Sequence, residues 1–290
     1  MLFSVIIPTY NRAQKVKAAV QSILTQSYQK FEIIVVDDGG TDNTESVIKE
    51  LNDIRVKYYW KENEERSIAR NYGIDKSNGD YIAFLDSDDF WYANHLSTAF
   101  ESLKHSKPPV LHTSFRYITE SHETIKDVIV NEISLKRLLR ENYLTFNSGF
   151  IRRDIMSDYR FIHSRDAIIS EDYCLWIRLV ANVNVICSSE VTTIIVQHTG
   201  RSLNNIDPVK VDKSFKLVFN QLDKESVLNS SEFRSDFNWF KASHLTILAL
   251  FYSIEKKKQN AFKCLMGAVK FHKPIIFTKR FLAVVKKLLF

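Results

Sequence analysis

The first hundred residues alternate between short apolar runs and segments in which apolar residues recur at helical spacing. The apolar runs cover residues 2–7, 31–36, 55–60 and 81–85, and their length and β-branched content predict buried strands. Between them, apolar residues spaced three and four apart predict helices that begin near Asn11, Thr41 and Ser67. Strands that alternate with helices of this length are typical of an α/β fold, with a mostly parallel central sheet and helices on both faces.

The pattern is less regular after residue 100. Apolar runs at 110–118 and 191–196 predict further strands, and residues 170–180 predict a helix with two acids in its first turn. Beyond Asp207-Pro208, residues 237–254 and 260–271 predict two helices joined by a short lysine-rich break. We therefore expect a catalytic α/β domain over residues 1–206 and a helical C-terminal region with a basic tail over residues 207–290.

Positive charge is concentrated at the C-terminal end of the 290-residue chain. The net charge is +6, yet residues 251–290 alone contain nine Lys and one Arg against one Glu. The remainder is net acidic and lacks the basic face that is typical of a nucleic-acid enzyme, so we expect no nucleic-acid partner. For the amphipathic segment 281–290 two interpretations stay open. In one interpretation the segment contacts an anionic membrane. In the other it packs on the protein and its lysines face water.

Cysteine usage and hydropathy bear on the cellular compartment. The three cysteines show neither a paired framework nor metal-ligand spacing, which fits a reducing compartment. The N-terminal apolar run is short and has no basic segment before it, and apolar runs elsewhere are also short. We therefore predict neither a signal peptide nor a transmembrane helix. The expected localisation is cytoplasmic, with peripheral contact at the inner face of the membrane if the tail binds lipid.

Polar residues follow three of the predicted strands directly: Pro8-Thr9, Asp37-Asp38 and Asp86-Ser87-Asp88. Because parallel strands end at the same edge of a sheet, these residues are expected to converge on one crevice. Asp86 and Asp88 suit a hard cation such as Mg²⁺ or Mn²⁺, although an Asp-rich turn that caps the next helix has the same pattern. Asp38 suits a nucleotide base or ribose, with helix capping again the alternative.

The first strand-to-helix turn excludes one class of function. It reads PTYNR and has no glycine, whereas a dinucleotide-binding turn needs glycines for close approach of the pyrophosphate. No Walker A sequence occurs either. Hydride-transfer and P-loop functions are therefore not expected.

Four ordered blocks of the chain resemble family 2 glycosyltransferases of the GT-A fold. The blocks are SVIIPTYNR, SILTQSYQKFEIIVVDDGGTDNT, SIARNYGI and GDYIAFLDSDDFW, and the resemblance is dense over residues 3–95. It implies a GT-A nucleotide-sugar-binding fold, a nucleotide-sugar donor, Mn²⁺ or Mg²⁺ as cofactor, and inversion at the anomeric carbon. It also implies a role in bacterial surface-polysaccharide assembly.

The resemblance assigns the nucleotide pocket to matching positions. It implies that Pro8 and Thr9 line the pocket, that Asp38 contacts the base, and that Arg70 lies near the base and phosphates. Asp86 and Asp88 match the metal-binding DxD motif, with Asp88 as the direct metal ligand and Asp86 also beside the nucleotide.

Two further positions match outside the dense blocks. Asp172, in the sequence SEDY, matches the catalytic base of the family. The alternative is that it only stabilises the N-terminus of its helix, where the helix dipole favours acidic residues. His198, in the sequence HTGRS, matches a histidine that reaches the metal or diphosphate, with an ordinary loop histidine as the alternative. The sequence NSG at residues 147–149 resembles a segment near the donor sugar only loosely, and a plain turn is the favoured interpretation.

The chain departs from the family pattern in two places. Gly39-Gly40 replaces the usual Gly-Ser, and residues 63–66 read NEER where a glycine-rich loop is common.

The sequence therefore predicts an inverting, metal-dependent hexosyl- or N-acetylhexosaminyltransferase. It would move a sugar from a UDP-linked donor to a hydroxyl of a saccharide or lipid-linked acceptor. One alternative is an inactive nucleotide-binding scaffold of the same fold. Another is a sugar-phosphate nucleotidyltransferase, which would more naturally begin with a glycine-rich phosphate loop than with PTYNR.

Overall fold

The computed structural model describes residues 1–198 and 207–289. In chain order the elements are β1 (Phe3–Thr9), α1 (Ala13–Leu24), β2 (Phe31–Asp38), α2 (Thr44–Lys49), β3 (Val56–Lys61), α3 (Arg66–Lys76), β4 (Tyr81–Phe84), β5 (Phe90–Trp91), α4 (His95–Leu103), β6 (Val110–Thr119), β7 (Thr124–Val128), α5 (Leu135–Arg140), a 3₁₀ turn (Phe146–Ser148), β8 (Gly149–Arg152), α6 (Ile155–Asp158), α7 (Glu171–Asn182), β9 (Val185–Gln197), α8 (Pro208–Leu222), a 3₁₀ turn (Ser226–Asn229), α9 (Arg234–Ile254), α10 (Lys258–Phe271), a 3₁₀ turn (Lys273–Phe277) and α11 (Lys279–Leu289).

These elements form two compact units. Within the described residues, the first unit comprises Met1–Ile133, Tyr143–Arg165 and residues 182–198, and the second comprises the rest. Two short segments from the middle of the chain are thus grouped with the C-terminal helices. The predicted domain boundary at residue 206 stays a prediction.

The strands of the first unit form one mixed sheet. Among the described residues its order is β3-β2-β1-β4-β8-β6-β9-β5, and β7 also pairs with β6, antiparallel, over Phe115–Ile118. The four strands predicted in the first hundred residues lie side by side and run parallel. β8 runs antiparallel to both β4 and β6 and joins that half to the remaining strands. The predicted α/β class is confirmed, and so are the strands expected near residues 110–118 and 191–196.

The central strands are buried over their whole length, as continuous apolar runs require. Ile6 lies opposite Ile34 on β2 and Phe84 on β4. Helix α3 approaches this sheet closely at Gly73, where an added Cβ would lie 2.4 Å from a methyl carbon of Ile6. The buried apolar runs therefore determine which segments form the central strands, and the register of their pairing determines which residues lie at the edge of the sheet.

The second unit is helical, and two of its buried clusters are built from small and branched side chains. Ala249, Leu265 and Val284 form one buried cluster that joins α9, α10 and α11. Ala242, Ala268 and Ile275 form another beside it. The apolar face of the tail helix α11 is thus packed against the other helices of its own unit. No helix within the described residues combines the length and apolar content needed to cross a bilayer.

Candidate active site

The crevice begins where the sheet opens between β1 and β4. Strand β4 ends opposite Ile6, so β1 continues through Pro8 and Thr9 with only β2 beside it. The Thr9 hydroxyl is buried and has no hydrogen-bond partner among the described residues. A buried hydroxyl without a partner costs about 1–3 kcal/mol, which a bound ligand would offset by supplying the missing bond. Pro8 and Thr9 therefore lie where a doubly wound sheet binds its ligand.

Asp38 ends strand β2 on the same edge and is held in place by β3 and the loop after it. Its Oδ1 accepts hydrogen bonds from Lys61 Nζ at 2.9 Å and from the Glu64 N–H at 3.0 Å. Burial acts to lower the pKa of Lys61, but the hydrogen bonds to Asp38 and Glu64 outweigh it and keep the pKa above its ordinary value. Oδ2 of Asp38 accepts no bond among the described residues, so it is available to a ligand.

The two departures from the family pattern meet at this loop. Asn63 Nδ2 donates to the Asp38 carbonyl at 2.7 Å. Gly39 has φ +83°, and a Cβ there would lie 2.7 Å from the Asn63 nitrogen, so this position needs glycine. Glu65 has φ +75° and ψ 157°, a conformation that is common only for glycine. The backbone thus keeps a glycine-type turn although the sequence there has none.

The DxD loop follows β4 and places its two acids against different cations. Asp86 Oδ1 accepts from Arg70 Nη2 at 2.7 Å, and the buried Arg70 guanidinium lies 5.2 Å from the Phe161 ring centre. Asp88 Oδ2 lies 2.7 Å from His198 Nε2 and accepts from Arg12 Nη1 at 2.9 Å. Four residues predicted from the sequence are thus paired in the first unit, as Asp86 with Arg70 and Asp88 with His198.

Asn147 links the DxD loop to the rest of the sheet. Its Oδ1 accepts from the Asp86 N–H at 2.9 Å, and its Nδ2 donates to Asp89 Oδ2 at 2.6 Å. Asp89 is 1% exposed, and its Oδ1 accepts from the Val196 N–H at 2.8 Å. The network therefore ties the loop that carries Asp88 to the strand that ends just before His198. The segment at 147–149, for which a plain turn was the favoured interpretation, is a buried hub.

The donor atoms suit a divalent cation. No group of three or more His, Cys, Asp and Glu side chains is arranged to hold a metal in residues 1–198 and 207–289. Asp88 and His198 nevertheless bring a carboxylate oxygen and an imidazole nitrogen to one point, and both are ligand types that Mn²⁺ accepts. The pair fits a cation that takes its other ligands from water and phosphate oxygens. Residues 199–202, the remainder of the predicted HTGRS segment, lie outside the described residues.

Asp172 lies in the second unit, at the start of α7. The residue before the helix, Ser170, has φ +61°, and Ile169 is clamped by the buried Ser214 hydroxyl. That hydroxyl accepts from the Ile169 N–H at 3.1 Å and donates to the Ile169 carbonyl at 2.9 Å. Glu171 is buried at 1% exposure, whereas Asp172 is half-buried. Of the two acids in the first turn, Asp172 is therefore the more exposed one.

Sequence reasoning missed three residues of this arrangement: Arg12, Lys61 and Asp89. Arg12 belongs to PTYNR, and nothing in that turn indicates that its cation pairs with Asp88, 76 residues further on. Asp89 extends the DSD motif, and its burial beneath the loop has no signature in the sequence. Lys61 ends β3 directly opposite Asp38, so the parallel register was the signal that would have found it.

Residues 4–167 match the family profile described as Glycosyl transferase family 2, which spans more than half of the chain. An uncharacterized glycosyltransferase of Rickettsia bellii is 40% identical over 126 residues, which are 43% of this chain and 18% of that protein. The UDP-Glc:alpha-D-GlcNAc-diphosphoundecaprenol beta-1,3-glucosyltransferase WfgD of Escherichia coli is 29% identical over 185 residues, 63% of this chain and 72% of that protein. The chain thus matches only about a fifth of the length of the Rickettsia relative.

A solved structure shares the fold. Staphylococcus aureus TarS 1-349, in complex with UDP, superposes with a TM-score of 0.66 at 17% identity, over 95% of this chain and 90% of that one. This likeness agrees with the GT-A type of α/β sheet expected from the sequence. The family match, which includes the DxD loop and the strands that present it, gives the identity: the chain belongs to glycosyltransferase family 2.

Proposed function

We propose that the protein is an inverting glycosyltransferase that moves a hexosyl or N-acetylhexosaminyl group from a UDP-sugar to a hydroxyl of a saccharide or lipid-linked acceptor. The proposed setting is bacterial cell-surface polysaccharide synthesis. The observation that carries the proposal is the pairing of Asp86 with Arg70 and of Asp88 with His198, where the sheet opens. Two similarities support the choice of substrates. WfgD is described as a UDP-Glc transferase with a diphosphoundecaprenol-linked acceptor, and TarS was solved with UDP.

The donor nucleotide is proposed to bind along the strand ends of the first unit. The Thr9 hydroxyl can donate or accept a hydrogen bond, and Oδ2 of Asp38 can accept one, from the base or ribose. Pro8 lines the same edge of the sheet. Arg70 supplies a buried positive charge for the phosphates, and Asp86 holds its guanidinium in position. A charge-assisted contact of this kind is stronger than a neutral hydrogen bond.

Asp88 and His198 are proposed to hold Mn²⁺ or Mg²⁺, with Asp86 nearby. When bound, such an ion supplies positive charge that stabilises a leaving diphosphate. Asp172 is proposed as the general base that takes the proton of the acceptor hydroxyl. The acceptor oxygen then forms its bond to the anomeric carbon while the bond from that carbon to the diphosphate oxygen breaks. The diphosphate leaves from the opposite face, so one displacement inverts the configuration.

A lipid-linked acceptor places this reaction at a membrane surface. We therefore propose that the protein is cytoplasmic and contacts the inner face of the membrane peripherally. UDP-sugars are charged, and a site that uses them together with a membrane-linked acceptor must meet both water and lipid.

Calorimetric titration with UDP and with GDP, each with and without Mn²⁺, tests the donor site. UDP binding that depends on Mn²⁺ is the expected result, and Asp88→Asn should weaken that dependence. Asp75→Asn is a matched control, since Asp75 is an exposed, ion-paired acid of the same unit. Failure of both nucleotides to bind the folded protein would contradict the proposed donor site.

Transfer assays with Asp172→Asn separate an enzyme from an inactive scaffold. If Asp172 is the base, the variant should bind UDP as well as the parent protein does, while transfer falls by roughly 10²–10⁴-fold. A parent protein that binds UDP with Mn²⁺ but never transfers sugar to any undecaprenol-linked saccharide would favour the scaffold alternative.

A further inference from the structure

The last three helical segments carry positive charge without compensation. Residues 258–289 contain seven Lys and one Arg and no acidic residue. None of these eight cations forms an ion pair among the described residues, whereas cations elsewhere in the same unit do, such as Lys241 with Asp223. Eight unpaired like charges repel one another, and the repulsion is relieved when an anionic surface binds.

Large apolar side chains are exposed among these charges. Phe277, in the turn before α11, is 80% exposed, and Leu282 on α11 is 57% exposed. Their neighbours Ile275 and Val284 are buried in the core of the unit, at 1% and 0%. The turn and the helix thus have an inner apolar side that is packed in the core and an outer side on which Phe277 and Leu282 are exposed among basic residues.

The outer side of α11 is a regular stripe. Lys279, Leu282 and Lys286 are spaced three and four residues apart, which places them on one helix face. Lys287 borders this face, and Phe277 precedes the helix by two residues. We call these five residues the tail surface. An exposed leucine that lies between lysines along a helix, with an exposed phenylalanine just before it, resembles segments that lie in the headgroup region of a bilayer.

We propose that the tail surface docks on an anionic lipid bilayer, with Phe277 and Leu282 entering the headgroup region and the three lysines contacting lipid phosphates. This inference deepens the membrane contact in the proposed function and rests on it only for the location of the acceptor. The physical fit favours a bilayer over a nucleic acid, because two exposed apolar side chains between the cations gain nothing from a phosphate backbone. The packed inner face agrees with docking, since α11 is already folded and needs no ordering on contact.

Flotation with vesicles tests the proposal on the full chain. We expect binding to phosphatidylcholine vesicles that contain about one third phosphatidylglycerol, little binding to phosphatidylcholine alone, and release at high salt. Lys279→Gln, Lys286→Gln and Lys287→Gln together should lower the partition coefficient on the order of 10²-fold, since each lysine contributes roughly fivefold. Phe277→Ser with Leu282→Ser should lower it at least about tenfold.

Matched controls separate this surface from general effects. Lys15→Gln, Lys30→Gln and Lys136→Gln together remove the same charge from exposed positions elsewhere, and Ile54→Ser removes an apolar side chain that is 97% exposed. Both controls should bind vesicles like the parent. Because the tail-surface residues are exposed, their variants should keep the parent melting temperature, unlike deletion of the tail, which would strip Val284 from the core.

Three results would overturn the inference. These are no binding to anionic vesicles, equal binding to neutral vesicles, and tail-surface variants that bind like their controls. UDP titration of the same variants keeps the two proposals distinguishable. Loss of vesicle binding with intact UDP binding concerns only the tail surface, whereas absent UDP binding with intact vesicle binding concerns only the donor site.

Discussion

Replacing Asn147 by alanine tests whether the buried hub sets the shape of the DxD loop. The change removes the 2.6 Å hydrogen bond to the Asp89 carboxylate and the 2.9 Å bond from the Asp86 N–H. The two bonds that the Asn147 carbonyl accepts, from Trp91 and Thr193, belong to the backbone and remain. The perturbation is therefore confined to the side-chain half of the network.

The expected cost follows from the chemistry of the two lost bonds. A hydrogen bond to a charged group contributes about 1.5–3 kcal/mol, and a neutral one about 0.5–1.5 kcal/mol. The free energy of unfolding should thus fall by roughly 2–4 kcal/mol. For a unit of this size that corresponds to a drop in Tm of about 5–10 °C. Because the loop also carries Asp88, the affinity for UDP with Mn²⁺ should fall more than the affinity for UDP alone.

Thermal unfolding and calorimetric titration measure these two effects. Asn94→Ala is the matched control, since Asn94 is exposed and makes no side-chain capping bond. Asn147→Asp should be worse than Asn147→Ala at neutral pH, because it sets a second carboxylate against the buried Asp89. If Asn147→Ala melted at the same temperature as Asn94→Ala and bound UDP and Mn²⁺ like the parent protein, Asn147 would not set the shape of the DxD loop.

Three further predictions concern single side chains. Arg12→Ala removes a cation that shares Asp88 Oδ2, so Mn²⁺ alone should bind about two- to tenfold more tightly, measured by titration without nucleotide. Weaker Mn²⁺ binding would contradict this competition. Glu65→Gly relieves the strained backbone and should raise stability by about 0.5–2 kcal/mol in urea unfolding, since the strain exceeds the entropy lost with glycine. An unchanged or lower midpoint would show that Glu65 is not strained. Burial lowers the pKa of His112 from 6.5 to about 3, so only the unfolded chain binds this proton between those pH values. Stability should therefore fall on acidification by up to about 1.4 kcal/mol per pH unit below pH 6.5, and His112→Asn should flatten the dependence by that amount.

Much of the first unit could be predicted from the sequence because its information is local. Continuous apolar runs such as 31–36 identify buried strands, and the alternation with helices identifies a parallel sheet. Acids directly after such strands must lie at one edge, which is why Asp38, Asp86 and Asp88 could be named without coordinates. Strand β8 was not predicted, since four residues of ordinary composition carry no periodicity, and its place between β4 and β6 depends on partners far along the chain.

The second unit shows the same division. The amphipathic pattern predicted its helices, and Asp172 could be placed in a helix first turn from spacing alone. Which face of α11 is packed depends on Ala249 and Leu265, residues 35 and 19 positions before Val284. Sequence composition therefore predicted a basic amphipathic tail and left both interpretations of it open, and only packing separated a buried face from an exposed one.

By itself the sequence determined the elements, the edge at which chemistry gathers, and the acids at that edge, because strand burial and strand-end position follow from residues close in the chain. The tertiary structure decided the pairings: Asp86 with Arg70, Asp88 with His198 and Arg12, and Asn147 with Asp89. The paired residues are 16 to 110 positions apart in the chain. A hydrogen bond requires two atoms within about 3 Å, and only the folded sheet brings such distant residues that close.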